Sequence, residues 1–210
     1  RMYPGIYTAP LLANQQNGDN RPIFFVEYSH AMGNSNGNLK EFWDQWRSTK
    51  RVIGGAIWEF KDQGLLKHDS TGKAYYAYGG DYGERYFDNF TIKGIVASDG
   101  RPKPAIYECK HVFQPAVCEL VDADKATIHI KNWHSVASLA DYDVYLQLRK
   151  DGNIILKKQI PRISLAAGHD TTISIKQYLP GLKPNHEYLA DIHFTLAEDK
   201  PWASKGYEIA

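Results

Sequence analysis

Two cysteines, Cys109 and Cys118, are all that this 210-residue chain contains. Their spacing fits neither a zinc-ligand pattern nor a disulfide framework, so they read as ordinary thiols. They leave the compartment, cytoplasm or periplasm, undecided. An excess of charge of one sign is also missing. The formal net charge is +1, which gives no electrostatic reason to invoke nucleic acid or an anionic membrane as a partner. No apolar stretch approaches the length of a membrane span. There is no internal repeat and no low-complexity segment. A starting methionine and a signal peptide are absent, since residue 1 is Arg1. The expectation from these is a piece of a longer polypeptide, with part of any catalytic site outside it.

What is present is an ordinary globular composition, 43% hydrophobic, with an aromatic share of 13% that includes 14 Tyr and 5 Trp. Such aromatics either fill a core or stack on flat ligands and sugars. The length allows one large domain or two small ones.

Ile23, Phe24, Phe25 and Val26 form an unbroken apolar run that suits a strand covered on both faces. Glu27 follows where that strand would leave the core, with Tyr28, Ser29 and His30 after it. Gly33 to Asn38 reads as a loop. Asn38 is placed to cap a helix, with Glu41 reaching back to it. Leu39, Phe42, Trp43 and Trp46 give that helix an apolar stripe. Arg47, Lys50 and Arg51 sit at its end, which suits the negative pole of the dipole. Val52 to Trp58 reads as a second buried strand. Strand, helix, strand implies a parallel pair with a right-handed crossover. Glu27 and Trp58 then fall at the carboxyl ends of neighbouring strands, where open α/β sheets and barrels hold ligands.

Residues 61–103 read as one long irregular, functional loop. Pro104 is placed to open a helix with Ile106, Cys109 and Phe113 on one side. From about residue 115 the apolar period becomes two. Ala126, Ile128 and Ile130 form one inward set, and Val144, Leu146 and Leu148 another. The turn Asp151-Gly152-Asn153 leads into Ile154-Ile155-Leu156, and Tyr188, Ala190, Ile192, Phe194 and Leu196 close the series. This spacing suggests an immunoglobulin-like β-sandwich. The expected domains are 1–114 and 115–210.

A strand-end carboxylate beside Tyr and His is a candidate nucleophile or general base; the alternative is a structural Glu bonded to loop amides. His30 is open between ligand, sugar contact and satisfied buried imidazole. Trp58 suits a pocket floor better than core. His129 and His193 read as solvent-facing and inert, and Lys73, Lys103 and Lys110 as solvated charges.

The stretch Glu27-Tyr28-Ser29-His30-Ala31-Met32-Gly33-Asn34-Ser35 resembles the nucleophile motif of the bacterial β-galactosidases of glycoside hydrolase family 2. The likeness continues through Gly54 to Trp58, Asp62-Gln63, Tyr78 to Gly83, Gly94 to Val96 and Pro102 to Pro115. It covers the first half by motif and the second by position and size. It implies an α/β part that holds the last strands of a partial (β/α)₈ TIM barrel, followed by an all-β, immunoglobulin-like sandwich. The barrel strands would end near Met2-Tyr3, at Glu27 and at Trp58.

By the same resemblance Glu27 is the nucleophile of a retaining β-galactosidase and forms a covalent galactosyl-enzyme. Tyr3 is the tyrosine that hydrogen-bonds it. His30 and Trp58 hold the galactose ring, and the Phe90 carbonyl stands where the family binds sodium. Such enzymes need two carboxyl groups, one nucleophilic and one acid/base. The family's acid/base Glu and magnesium ligands lie upstream of this stretch. No cofactor is therefore expected within it and no turnover by it alone; for the complete enzyme the resemblance leaves magnesium and sodium open. Glu59, next to Trp58, is expected to point away from the site. Lys93 stands where the family has Asn beside sodium and the sugar 6-hydroxyl, and its ammonium is expected to replace the ion. The implied partners are a β-galactoside, the remainder of the polypeptide, and further copies in a homo-oligomer. A β-glucuronidase or β-mannosidase of the same family, or a non-catalytic carbohydrate-binding module, are the rival readings.

Overall fold

The computed structural model describes residues 2–15 and 18–210. The chain divides into two compact units, Arg1–Val112 and Phe113–Ala210.

In the first unit, helix α1 (Thr8–Ala13) precedes strand β1 (Ile23–Tyr28), helix α2 (Leu39–Arg47), strand β2 (Val52–Ile57), the hairpin strands β3 (Leu65–His68) and β4 (Ala74–Ala77), and helix α3 (Pro104–Phe113). β1 and β2 pair in parallel, with Phe25 beside Gly55. The crossover helix between them packs by its expected stripe. Trp46, 2% exposed, lies 5.0 Å from Phe25 in a stacked pair and 4.6 Å from Tyr28. Gly55 is required by this contact, because a Cβ there would come within 2.8 Å of the Trp46 ring and 2.9 Å of the Phe25 carbonyl. Leu39, Ile95, Cys109 and Val112 complete the core.

Several details depart from the sequence expectation. The sheet is covered on one face only: Phe24 and Val26 are about half exposed and Ile53 is 66% exposed. Trp46 and Phe42 of α2 pack on Phe25 and Tyr28, and a register shift between those two positions accompanies the burial of both. Asn38 occupies the cap position of α2 in a left-handed conformation, φ 62°, and its side chain makes no cap hydrogen bond. At the other end of α2, Arg47 donates to the Val112 carbonyl at 3.0 Å, so it ties two helices together. Residues 61–103 are not wholly irregular, since β3 and β4 form an antiparallel hairpin inside them. On α3 the buried positions are Cys109 and Val112, while Phe113 is exposed.

The second unit has six strands: β5 (Ala116–Asp122), β6 (Thr127–Asn132), β7 (Tyr142–Lys150), β8 (Asn153–Ile160), β9 (Asp170–Ser174) and β10 (Tyr188–Leu196). They form two three-stranded antiparallel sheets, β5-β6-β9 and β10-β7-β8. One core takes side chains from both sheets, including Ile128, Ile130, Val144, Leu146, Phe194 and Leu196. The β7–β8 turn places Asp151 and Gly152 at φ 47° and 81°, a left-handed pair that suits the right-handed twist of the strands. Of the Ile154-Ile155-Leu156 run only Leu156 joins the core. Burial pushes the Cys118 thiol up to about 12 and raises that of Cys109, so neither is a thiolate at neutral pH.

Asn132 is fully buried at the end of β6. Its amide nitrogen donates to the carbonyls of Ala137 and Leu165, both at 3.0 Å, and its oxygen accepts from the His134 N–H at 3.0 Å. Asn132→Ala removes these three bonds, although the Leu165 carbonyl keeps the Leu139 N–H and the Ser138 hydroxyl, and is expected to cost about 2–3 kcal/mol in chemical denaturation. A loss under about 0.5 kcal/mol would mean that water replaces the amide.

His193 is not solvent-facing as expected. It is half-buried and its Nδ1 lies 2.8 Å from Glu208, which bridges to β10 at Thr195. His129 keeps a looser pairing with Asp170 at 3.7 Å. Among the described residues no helix is long and apolar enough to cross a membrane.

Candidate active site

Glu27 is the next-to-last residue of β1, and Trp58 directly follows β2. Backbone bonds tie the two strand ends together: Trp58 N–H donates to the Tyr28 carbonyl at 3.0 Å, and the Trp58 carbonyl accepts from Ala31 N–H at 2.7 Å. Tyr3 enters from the segment before α1. Met2 forms a parallel bridge with Glu27, and Tyr3 N–H donates to the Glu27 carbonyl at 2.8 Å.

Desolvation, the pull of the nearby Glu27 carboxylate on the phenol's proton and the charges of Glu27 and Glu59 together push the Tyr3 phenol up to about 12. The folded value lies above the free value of 10.0. The fold therefore favours the neutral phenol; the stabilisation is complete below pH 10 and fades as pH rises toward 12. Tyr3 is thus a hydrogen-bond donor at any physiological pH. An ultraviolet difference titration of Tyr3→Phe against the parent protein is expected to remove one phenol that ionises near pH 12. Loss of one that ionises near pH 10 would contradict the contact.

Ser29, at φ 52°, turns the chain out of β1. The loop that follows clamps this turn. Asn36 Nδ2 donates to the Ser29 carbonyl at 2.8 Å and to its hydroxyl at 2.9 Å, and Ser35 Oγ bonds the Met32 carbonyl at 2.6 Å and the His30 carbonyl. The polar composition of residues 33–38 therefore serves the turn that presents His30. The His30 ring lies 6.2 Å from Tyr3 and 5.8 Å from Phe90, which itself is exposed.

The far wall is a ladder between residues 59–63 and 91–96. Glu59 N–H donates to Lys93 O, Ile95 N–H to Glu59 O, Val96 N–H to Phe60 O and Asp62 N–H to Val96 O, at 2.9–3.0 Å. Gly94 permits the approach, since a Cβ there would overlap backbone atoms of Lys61 and Asp62. Asp62, 7% exposed, locks the ladder by accepting from Gly94 N–H and Lys103 Nζ, both at 2.7 Å. Lys103 is therefore not a solvated charge, contrary to the sequence reading. Its ammonium compensates a buried carboxylate that would be costly alone.

This ladder sets Lys93 beside Trp58. The Lys93 ammonium lies 5.7 Å from the centre of the Trp58 ring and 5.6 Å from that of Phe90, within cation–π range. It is 3.5 Å from Glu59 and 3.3 Å from the Gln63 carbonyl oxygen. Glu59 is drawn to the site side, where its charge reaches Tyr3, and not away from it. β2 ends at Ile57, so alternation along the strand does not extend to Glu59. Tyr3, Glu27, His30, Phe90, Lys93 and Trp58 thus form one connected set. Gln63 and Asp62 are the members that residue-by-residue reading did not single out, although Asp62-Gln63 stood among the quoted motifs.

Sodium is held by oxygen atoms. At position 93 the side chain offers none and brings a positive charge of its own, so the residues present do not fit a sodium ion. Among the described residues no group of three or more His, Cys, Asp or Glu side chains gathers as for a metal.

Sequence comparison agrees with this geometry. Residues 6–117 match the model described as glycosyl hydrolases family 2, TIM barrel domain, and residues 128–210 match β-galactosidase, domain 4. The chain is similar to β-galactosidases of Vibrio cholerae (37% identical), Psychromonas ingrahamii (34%) and Priestia megaterium (34%), in each case over 90–91% of its length. It spans only 18–19%, about a fifth, of those relatives. A family match that covers more than half the chain, on the segment that carries Glu27 and Trp58, places it: the chain belongs to glycosyl hydrolase family 2.

Proposed function

We propose that this chain supplies the nucleophile half of the active site of a retaining β-galactosidase. The placement of Tyr3 against Glu27 at the carboxyl end of a parallel strand, tied by the Tyr3 N–H to Glu27 carbonyl bond with the phenol beside the carboxylate, is the observation that carries the reading. A carboxylate beside a phenol donor is held in a fixed direction for attack. A Glu27 carboxylate oxygen attacks the anomeric carbon as the glycosidic C–O bond breaks. The leaving oxygen takes its proton from an acid carboxyl group contributed by residues outside this chain. Water then cleaves the glycosyl ester, with that second carboxyl group as base. Glu59 does not take this role, since it is committed to Lys93 and Gln63. The chain by itself is expected to be inactive.

The same reading assigns the first unit to the last strands of a (β/α)₈ barrel and the second to an immunoglobulin-like sandwich. The open face of β1 and β2, with Phe24, Val26 and Ile53, is the face that the remaining barrel strands would cover. Two sheets around one core support the sandwich. Trp58 offers an apolar face to the C–H side of a sugar, and His30 a polar edge to its hydroxyls. The Lys93 ammonium is already engaged by Glu59 and Gln63, which favours a neutral hexoside over a uronic acid.

Hydrolysis of nitrophenyl β-galactoside, β-glucuronide and β-mannoside by the full-length protein tests the specificity. Galactoside turnover at least tenfold above the others is expected. A preference for either rival sugar would reassign the substrate, and hydrolysis of none would leave a carbohydrate-binding role.

A further inference from the structure

The geometry points to Lys93 as a built-in cation of the site: a positioning residue whose ammonium holds Glu59, Gln63, Trp58 and Phe90 in place and leaves no room for an exchangeable monovalent metal ion. This inference rests on the proposed glycosidase reading, and it departs from the sodium site that the family resemblance implies.

Four independent features support it. The side chain of Lys93 is only 7% exposed, so its charge is not a surface charge in water. Its backbone cannot slip, because Glu59 N–H donates to Lys93 O and the neighbouring Gly94 is wedged against Lys61 and Asp62. Its ammonium has oxygen on one side, Glu59 at 3.5 Å and Gln63 at 3.3 Å, and aromatic faces on the other, Trp58 and Phe90. Finally, the Gln63 amide is oriented by its partners: its NH₂ group donates to Glu59 Oε2 at 3.0 Å, which turns its carbonyl oxygen to Lys93.

The other Glu59 oxygen, Oε1, is buried and has no hydrogen-bond partner among the described residues. The Lys93 ion pair, at contact distance though off hydrogen-bond geometry, is its compensation. A buried carboxylate without a countercharge is strongly unfavourable. A metal ion could supply that charge, but only from the position the ammonium already fills, and two like charges so close in a half-dry site repel. The consequence is functional: the wall that orients Trp58 is charged and rigid at any salt composition.

The test uses the full-length protein in sodium, potassium and choline chloride at equal ionic strength. For the parent protein, kcat/KM on nitrophenyl β-galactoside is expected to agree within twofold across the three salts. Its melting temperature should show no sodium-specific rise, and ²³Na resonance linewidths no site competed by substrate. Lys93→Asn supplies an oxygen in place of the ammonium. Its KM is expected to rise at least tenfold in choline and to recover in sodium, with kcat less affected. Lys93→Met, which supplies neither, is expected to show the rise without recovery.

A tenfold sodium activation of the parent, or sodium binding seen by ²³Na linewidth, would overturn the inference. So would Lys93→Asn with parent kinetics in every salt. If Lys93→Met does not fold, the parent and Lys93→Asn measurements still decide the matter. If the parent hydrolyses no glycoside, the functional reading fails, while the sodium-binding and melting measurements still decide whether Lys93 excludes the ion.

Discussion

Glu27→Gln in the full-length protein is expected to lower kcat for galactoside hydrolysis by about 10⁴-fold or more, with folding unchanged. The amide keeps the shape and can still meet the Tyr3 hydroxyl, but it cannot form the glycosyl ester. The effect should be far greater than that of any other change in the set, because the other members orient and Glu27 makes the bond. Glu27 is only half-buried and its main-chain partners are Tyr3 and the β1–β2 ladder, so the substitution removes no core contact. A fall of less than tenfold, measured with titrated active sites, would reduce Glu27 to the structural role that the sequence alone left open.

Trp46→Ala is expected to destabilise the first unit by about 3–5 kcal/mol, read as a shift in denaturation midpoint. Trp46 stacks on Phe25, touches Tyr28, Phe42 and Trp43, and is nearly inaccessible. Its removal opens a cavity between α2 and β1 that no described neighbour can fill, and Gly55, already pressed against its ring, offers no side chain. Because Phe25 and Tyr28 flank Glu27 along β1, activity should fall as well, through misplacement of the strand end. The matching change at Phe24, on the open face, lacks such contacts within this chain. A cost for Trp46→Ala below about 1.5 kcal/mol would mean that α2 does not anchor β1.

The parts of this structure that were legible in the sequence are those in which one local pattern decides. The α2 stripe, the parallel pairing of Ile23–Tyr28 with Val52–Ile57, the start of α3 at Pro104 and the Asp151-Gly152 turn all follow from period or turn chemistry. Misreadings arose where a distant partner decides. Lys103 looked solvated because nothing near it in sequence reveals Asp62, 41 residues away. His193 looked inert because Glu208 reaches it from beyond β10. Glu59 looked averted because strand alternation was extended past Ile57, where β2 ends. The apolar run of β1 implied two covered faces, whereas this stretch of chain covers one.

The candidate site divides in the same way. Glu27, His30 and Trp58 stand in motifs whose order is a signature, Tyr3 and Phe90 come from the resemblance alone, and the structure gathers all five. Their support is not in those motifs: the Ser35 and Asn36 clamp, the 59–63 and 91–96 ladder and the Asp62–Lys103 lock are tertiary contacts.

The central claim is that Glu27 forms a covalent bond to the sugar. Incubating the full-length protein with a 2-deoxy-2-fluoro-β-galactosyl fluoride, which forms the glycosyl-enzyme faster than water releases it, and mapping the adduct by mass spectrometry tests this directly. The account predicts one fluorogalactosyl group per chain, on the peptide that carries Glu27 and absent from Glu27→Gln. An adduct on another carboxylate such as Glu59, or a turning-over enzyme that acquires no adduct, would contradict it.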